Sequence, residues 1–178
     1  MIYMVECAFT DPTREDDWNV FYGGDKLTTL LALPGFRASQ RFRAITDTEA
    51  PYLAVHSIRD TAVLNQPVYR DVGGGTFSGW DDLVTNWDRN VFSGMETAPD
   101  VSSEECLVVL DDPAVEGAVP GVAFTWIDIE GLDRTVARRG LAIVDRATGN
   151  GLADKMPEIL RVFAPLAGRR VSPNGLDS

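Results

Sequence analysis

The sequence predicts an α+β fold built on the split βαβ arrangement of a ferredoxin-like sheet. Three observations lead to this prediction. The chain of 178 residues opens directly on an apolar strand pattern at residues 2–9, IYMVECAF. A helical pattern follows at once, with Trp18, Phe21 and Tyr22 on its apolar side. Strand and helix patterns then continue to about residue 95 in the order β-α-β-β-α-β, which is that of the split βαβ motif.

The first half supplies these elements in turn. A cap at Asp11 or Thr13 starts the first helix, which is predicted to run to about residue 33 and to end at a Pro-Gly pair. Gly23 and Gly24 weaken this helix by about 1 kcal/mol each relative to alanine. Strands are predicted at 36–45 and 52–58, a short helix at 60–70, a flexible loop or lid at 73–79, and a closing strand within 80–95.

A polar segment at 95–105 precedes a second group of elements. Strands are predicted at 106–111, at 121–128 and at about 135–145, and a helix from about 150 to 164. We predict two units, with residues 1–97 forming a ferredoxin-like half and residues 104–178 forming a second, shortened α+β half packed on the first. A single continuous unit is the alternative, because no sequence repeat links the halves.

Composition and charge exclude several classes of function. The formal net charge of −11 opposes nucleic-acid binding, because phosphates would be repelled. No stretch approaches the roughly 18–20 apolar residues of a membrane span, and the N-terminus has no signal-peptide pattern. Cys7 and Cys106 are expected to be buried thiols, with a single disulfide as the alternative. We therefore expect a soluble cytoplasmic protein.

The segment at residues 18–44, WNVFYGGDKLTTLLALPGFRASQRFRA, resembles the helix-turn-strand of EthD-like and related dimeric α/β-barrel proteins. In that group an aromatic pair on the first helix precedes an acid-His dipeptide, and a Pro-Gly turn leads into a strand that ends in Arg-Phe or Arg-Tyr. PYLAVHSI at 51–58 and WDRNVF at 87–92 resemble the group's next strand and its closing segment. Phe21 and Tyr22 match the aromatic pair, but Lys26 stands where the group carries its histidine.

The resemblance implies that the helix-free face of the sheet closes against a second sheet, which makes a dimeric or pseudo-dimeric α/β barrel. The second sheet would come from another subunit or from the second half of this chain, and a homodimer is the state we expect. The enclosed space would hold a small, mostly apolar molecule. Relatives include cofactor-free monooxygenases, isomerases, lyases and decyclising enzymes, while others have no known activity, so the fold alone does not determine the reaction.

Strand alternation places the candidate catalytic residues. The apolar residues of the first strand face the helices, so Glu6 is predicted to point into the barrel. On the third strand we assign Leu53 and Val55 to the helix side, which puts Tyr52 and His56 inside the barrel with Glu6. A carboxylate beside the imidazole would raise its basicity and make it a general base. A hydrogen-bonded core histidine is the alternative interpretation.

Further residues complete the predicted site. Arg41 lines the cavity if Phe42 packs under the helices, and it would then hold a carboxylate, phenolate or enolate. The opposite register exposes the arginines of this strand on a sheet edge. Lys26 is a candidate anion ligand or base, with an exposed structural lysine as the alternative. Aromatic walls are predicted from Tyr22, Tyr52, Tyr69, Trp80 and Trp87.

No second histidine, cysteine cluster, dinucleotide fingerprint or nucleophile motif indicates a metal, a cofactor or covalent catalysis. We therefore predict a cofactor-independent enzyme of lyase or isomerase type that acts on a small hydrophobic oxygenated or aromatic molecule. His56 would move the proton and Glu6 would orient it, while Arg41 or Tyr52 would stabilise the anion. The alternatives are a cofactor-free monooxygenase, a non-catalytic binding or accessory protein, and a structural oligomer whose barrel is filled by its own side chains.

Overall fold

The computed structural model describes residues 1–174. In the first half the predicted strands are confirmed with small changes of boundary. The elements are β1 (Ile2–Phe9), α1 (Glu15–Phe21), a π-helical turn (Tyr22–Lys26), α2 (Leu27–Leu31), β2 (Phe36–Ala44), β3 (Tyr52–Ile58), 3-10 turns at Thr61–Asn65 and Asp81–Leu83, α3 (Pro67–Asp71) and β4 (Val84–Ser93).

The first helix contains a π-helical turn in its middle. Its first turn carries Glu15, Asp16 and Asp17, which suit the positive end of the helix dipole. Gly23 and Gly24 lie inside the π-helical turn, and the backbone stays in the right-handed helical region on both sides of it. The glycine pair therefore widens the helix without breaking it, and such π-bulges are frequent at functional sites.

The second half contains β5 (Glu105–Leu110), a 3-10 turn (Pro113–Ala118), β6 (Thr125–Leu132), β7 (Arg138–Asp145), α4 (Arg146–Lys155), β8 (Arg161–Pro165) and β9 (Arg170–Val171). The predicted helix at 150–164 is wrong in its second part. Asp145 caps α4 by accepting a hydrogen bond from the Thr148 N–H at 2.9 Å, and Pro157 follows soon after the helix ends. The last four residues of the predicted second unit lie outside the described residues.

The strands form one closed antiparallel barrel. β1 to β4 are ordered β2-β3-β1-β4, and β5 to β8 are ordered β6-β7-β5-β8, which repeats the same pattern. β4 pairs with β6 and β8 pairs with β2, so the two groups join at both sides. The two halves therefore cover each other's sheet within one chain, and closure needs no second subunit.

The interior of the barrel is filled by apolar side chains from each of the strands β1 to β8 and from the segment that precedes β5. This cluster consists of Ile2, Met4, Phe42, Leu53, Val55, Phe92, Ala98, Val101, Leu107, Val109, Ile127, Leu141 and Phe163. A second core lies between the outer face of the first sheet and the helices, and a third lies under α4. The pocket that the sequence placed inside the barrel is therefore occupied by side chains at this level, because large residues from opposite strands meet across it.

The structure also tests the predictions about the two cysteines and about membrane spans, within residues 1–174. Cys7 and Cys106 are both buried and carry free thiols, as predicted. Burial raises the pKa of the Cys7 thiol to about 12. No helix within residues 1–174 is long and apolar enough to cross a membrane.

Candidate functional site: a lidded cavity between the sheet and the helices

His56 lies on the helix side of the sheet, not inside the barrel. In the register of β1 and β3, Tyr3 is directly opposite His56 and Glu6 is directly opposite Leu53. Residues that face each other across a strand pair point to the same face of the sheet. Glu6 and Leu53 therefore point inward, while Tyr3, His56 and Tyr52 point to the helices. The predicted Glu6–His56 pair and the inward orientation of Tyr52 are wrong.

The error has a physical cause in β3. Every residue of Tyr52–Ile58 is buried, because one face of the strand packs in the barrel and the other packs under the helices. Alternation of polar and apolar residues identifies a buried face only when the other face is solvated. β3 lacks that contrast, so its sequence does not reveal which side chains face the helices.

Glu6 has a different partner from the one predicted. Its carboxylate accepts a hydrogen bond from Arg139 Nη1 at 2.7 Å and is also paired with Arg161. Asp111 completes the group by bonding both arginines, at 2.6 Å from Arg139 Nε and 2.8 Å from Arg161 Nη2. Burial alone would raise the pKa of Glu6, but the two guanidinium groups outweigh it and lower that pKa. Glu6 is thus a fixed anion in an ion-pair network and no general base.

A small cavity encloses the helix-side face of His56. Its walls come from β1, β3, β4, the first helix and the loop at 73–79. The free volume is about 20 Å³, enough for one water molecule. The lining residues are Tyr3, Val5, Tyr22, Lys26, Leu30, His56, Tyr69, Gly74, Gly75, Thr76, Phe77 and Trp87. The structure thus brings five of the predicted site residues together, on the opposite side of the sheet from the one expected.

His56 is fully buried, and neither of its ring nitrogens has a hydrogen-bond partner among residues 1–174. Its ring stacks on Tyr3 with centroids 5.3 Å apart and meets the ring of Phe36 edge-on at 5.9 Å. Burial, with a smaller contribution from the charges of Lys26 and Arg41, lowers the pKa of His56 to about 3. The imidazole is therefore neutral at pH 7, and one N–H and one nitrogen lone pair remain free for a ligand.

Two tyrosines, Tyr3 and Tyr69, line the same cavity as this imidazole. The hydroxyls of Tyr3 and Tyr69 are 3.2 Å apart and share a hydrogen bond. Burial raises the pKa of both phenols, so both stay protonated at neutral pH. The ring of Tyr69 stacks on Phe36 at 5.9 Å. Sequence reasoning missed Tyr3 as a site residue, although it assigned the apolar face of β1 correctly to the helices.

Lys26 connects the first helix to the loop that covers the cavity. Its ammonium donates hydrogen bonds to the carbonyl of Gly73 and, at 2.8 Å, to that of Thr76. Burial lowers the pKa of Lys26 to about 8. Gly73 and Gly75 adopt positive φ of 75° and 76°, a conformation that glycine permits at little cost. The segment predicted as a flexible loop or lid is thus a tight loop that Lys26 holds against the helix.

The remaining predicted site residues lie elsewhere. Tyr52 donates a hydrogen bond to Glu15 Oε1 at 2.6 Å, and Trp80 packs against Phe9 near the surface. Both alternatives considered for Arg41 are wrong. Phe42 faces the barrel interior, and β2 is no edge because it pairs with β3 on one side and with β8 and β9 on the other. Arg41 is instead buried under the first helix.

Comparisons with known proteins identify the fold. No protein-family model matches the chain, and no curated protein matches it in sequence. A solved structure described as an anthrone oxidase-like protein is similar with a TM-score of 0.57 and 10% identity, over 97% of this chain and 93% of that one. A protein from Fusobacterium nucleatum titled "Putative monooxygenase" gives a TM-score of 0.57 and 9% identity, over 98% of this chain and 94% of that one. The chain shares their α+β barrel fold.

Proposed function

We propose that this chain is a cofactor-independent enzyme that acts on a small hydrophobic, oxygenated or aromatic molecule in the lidded cavity. The observation that carries the proposal is His56, a fully buried imidazole that lines a small aromatic cavity and whose two ring nitrogens have no partner among residues 1–174. Buried polar groups are nearly always hydrogen-bonded, so an orphaned one calls for an explanation. A bound substrate with a hydroxyl or carbonyl group would supply the missing partner.

The chemistry that these residues support is proton removal. A neutral imidazole can take a proton from a phenol, or from a carbon next to a carbonyl group, and the electron pair of the broken bond then moves onto the substrate oxygen. Lys26 lines the same cavity and would stabilise the resulting phenolate or enolate. That anion would also raise the pKa of His56, which favours transfer of the proton. The tyrosine pair can donate a further hydrogen bond.

Substrate entry requires movement of the loop at 73–79. The free volume of about 20 Å³ is far below the several hundred Å³ of a typical ligand pocket. The loop supplies much of the cavity wall and is held by two hydrogen bonds from one lysine. We therefore assign it the role of a lid that opens for the substrate and closes behind it.

The phenolate or enolate can react in two ways, and the descriptions of the similar structures support one of them. Reprotonation at another atom, or loss of a leaving group, gives an isomerase or a lyase. Reaction with dioxygen converts a CH2 group into a carbonyl group and releases one molecule of water, so the substrate itself supplies the electrons. The descriptions of the two similar structures, "anthrone oxidase-like protein" and "Putative monooxygenase", favour the second outcome.

We further propose that each half of the chain corresponds to one ferredoxin-like subunit of a dimeric α/β barrel, with the division between residues 97 and 104. The repeated strand order supports this division. The helix-side cavity belongs to the first half, where a long helix lies between β1 and β2, whereas the second half has only a 3-10 turn between β5 and β6 and covers its sheet with α4. The homodimer stays a prediction, and the closed barrel does not require it.

The test uses anthrone, a flat aromatic ketone with an acidic CH2 group. Exchange of that CH2 group with deuterated solvent is followed by NMR without oxygen, and formation of the quinone is followed in air. We expect the wild-type chain to accelerate exchange of the CH2 group. The exchange rate with His56→Phe should be at least 100-fold lower than with the wild-type chain. Trp80→Phe, an aromatic change outside the cavity, is the matched control and should keep it.

The results separate the candidates. Exchange without quinone formation supports the isomerase or lyase reading, while exchange with quinone formation supports the monooxygenase. Binding of anthrone without any acceleration overturns the enzyme proposal in favour of a binding protein. Equal acceleration by the wild-type chain and by His56→Phe excludes His56 as the base.

A further inference from the structure

Arg41 is a buried cation that lacks an anionic partner. Its exposed fraction is 6%, and no carboxylate lies within 4 Å of its guanidinium among residues 1–174. The other deeply buried arginine, Arg139, is paired with both Glu6 and Asp111. Moving a charge out of water costs several kcal/mol, and proteins normally offset this cost with an opposite charge. Arg41 departs from that rule.

The surroundings of Arg41 orient the guanidinium without neutralising it. It lies 4.2 Å from the ring centroid of Tyr22 and 4.9 Å from that of Trp18. Asn19 accepts two hydrogen bonds from it, at 3.2 Å through its carbonyl and 2.9 Å through its side-chain oxygen. These two bonds use two of the five N–H donors of a guanidinium. The group is thus held in one orientation and keeps donors for a further acceptor.

A groove of about 490 Å³ opens beside Arg41, between the first helix and the connection from β8 to β9. Its walls include the apolar side chains of Val20, Leu27 and Leu166. Val20 is 75% exposed and Leu166 is 42% exposed, so this apolar surface faces solvent. The groove does not share a lining residue with the His56 cavity.

The charges around the groove favour an anion. Arg43 and Arg170 also line it, while Asp16 is its one acidic lining residue. Arg43 is paired with Glu15 at 3.3 Å, and Arg170 donates to the carbonyl groups of Gly23 and Gly24. Three guanidinium groups therefore meet at one groove of a chain whose formal net charge is −11.

We infer that this groove binds a small amphipathic monocarboxylate, whose carboxylate pairs with Arg41 and whose hydrocarbon part covers Val20, Leu27 and Leu166. A planar carboxylate matches the fork of a guanidinium. A single charge suits the site because Arg41 is the one buried cation among the described residues that line it, and Asp16 opposes a second negative charge. The apolar walls disfavour a fully polar ion such as phosphate.

The experiment measures binding of octanoate, 1-octanol and inorganic phosphate by calorimetry with the full chain. We expect octanoate to bind at least tenfold more tightly than octanol or phosphate. Arg41→Met should weaken octanoate binding at least tenfold. Arg59→Gln removes an exposed arginine outside the groove and should leave the affinity unchanged. Leu166→Glu adds a negative charge at the exposed rim and should weaken binding without touching the core.

Each contrary result overturns the inference. Equal affinity for octanol and octanoate would make the groove a merely apolar surface. Equal affinity for phosphate would make it a general anion site. Unchanged octanoate affinity in both Arg41→Met and Leu166→Glu would place the ligand elsewhere on the chain.

Discussion

Arg139 Nη1 donates a hydrogen bond of 2.7 Å to the Glu6 carboxylate inside one end of the barrel, and this contact links β7 of the second half to β1 of the first. Asp111 and Arg161 extend the contact into a group of two acids and two arginines. The group is formally neutral, and its two most buried side chains, Arg139 and Glu6, are 2% and 5% exposed. The group therefore forms a polar connection between the two sheets, and each of its four charged side chains has an opposite charge as its partner.

Removing Arg139 should destabilise the fold strongly. Arg139→Met leaves Glu6 buried with one partner, and breaking a buried pair typically costs about 3–5 kcal/mol. We expect the free energy of unfolding, measured by urea denaturation, to fall by about 3 kcal/mol. Arg138→Met is the matched control, because Arg138 has an exposed ion pair with Asp128 and should cost under about 1 kcal/mol. Equal losses in the two variants would contradict a structural role for the buried network.

His56 should make stability depend on pH in a range where other side chains change little. It is the one histidine in the chain, and its pKa is lowered to about 3, against about 6.5 in the unfolded chain. Between these values the unfolded state binds a proton that the folded state does not, so stability falls as the pH drops below about 6.5. We expect a loss of about 2 kcal/mol in the free energy of unfolding from pH 7 to pH 5.

His56→Phe provides the control for that prediction. It keeps an aromatic ring in the core and removes the titrating group, so its free energy of unfolding should be nearly constant from pH 7 to pH 5. Glu6 also has a lowered pKa, and its contribution is lost at lower pH, below its unfolded value of about 4.3. The two pH ranges therefore separate, and a wild-type curve that is flat between pH 7 and pH 5 would show that His56 charges freely in the fold.

Lys26 should control opening of the lid at residues 73–79. Lys26→Met keeps the aliphatic stem and removes the hydrogen bonds to the carbonyl groups of Gly73 and Thr76. We expect amide hydrogen exchange in the loop to accelerate about tenfold, because opening would no longer break these two bonds. Lys155→Met, at an exposed position on α4, should change nothing. Unaltered exchange in Lys26→Met would mean that the loop is held by its own turns.

Local patterns predicted much of this fold. The strands at 2–9, 36–45 and 52–58 and the loop at 73–79 follow from apolar runs and glycine clusters, which depend on nearby residues only. β8 was missed because Arg161–Pro165 has the apolar content of a helix end, and its strand character comes from pairing with β2 and β5. Distant partners of this kind leave no local signal.

The sequence predicted many of the residues of the candidate site, but it did not predict where they lie in the fold. His56 was predicted from its place on a strand, Lys26 from the resemblance, and Tyr22, Tyr69 and Trp87 as aromatic walls, and the structure places all five around one cavity. Their face of the sheet was wrong because β3 is buried on both sides. The partners of Glu6 lie about 130 and 155 residues away along the chain, and a single sequence does not reveal such pairs.

Arg41 and Arg139 should respond in opposite ways to the same substitution. Both guanidinium groups are buried, but Arg139 has two carboxylate partners and Arg41 has aromatic rings and Asn19. Three cation–π contacts offset only part of the cost of burying a charge. Methionine has similar length and no charge, and partly exposed Asn19 can turn to water. We therefore expect Arg41→Met to raise the free energy of unfolding by about 1 kcal/mol.

That gain would have a meaning for function, since a residue that lowers the stability of the free protein is retained for what it binds. The prediction is checked by urea denaturation of Arg41→Met beside Arg139→Met at pH 7, with and without octanoate. Octanoate should stabilise the wild-type chain and leave Arg41→Met unchanged, because only the charged groove holds the carboxylate. A loss of about 3 kcal/mol in Arg41→Met would instead identify Arg41 as an anchor of the first helix.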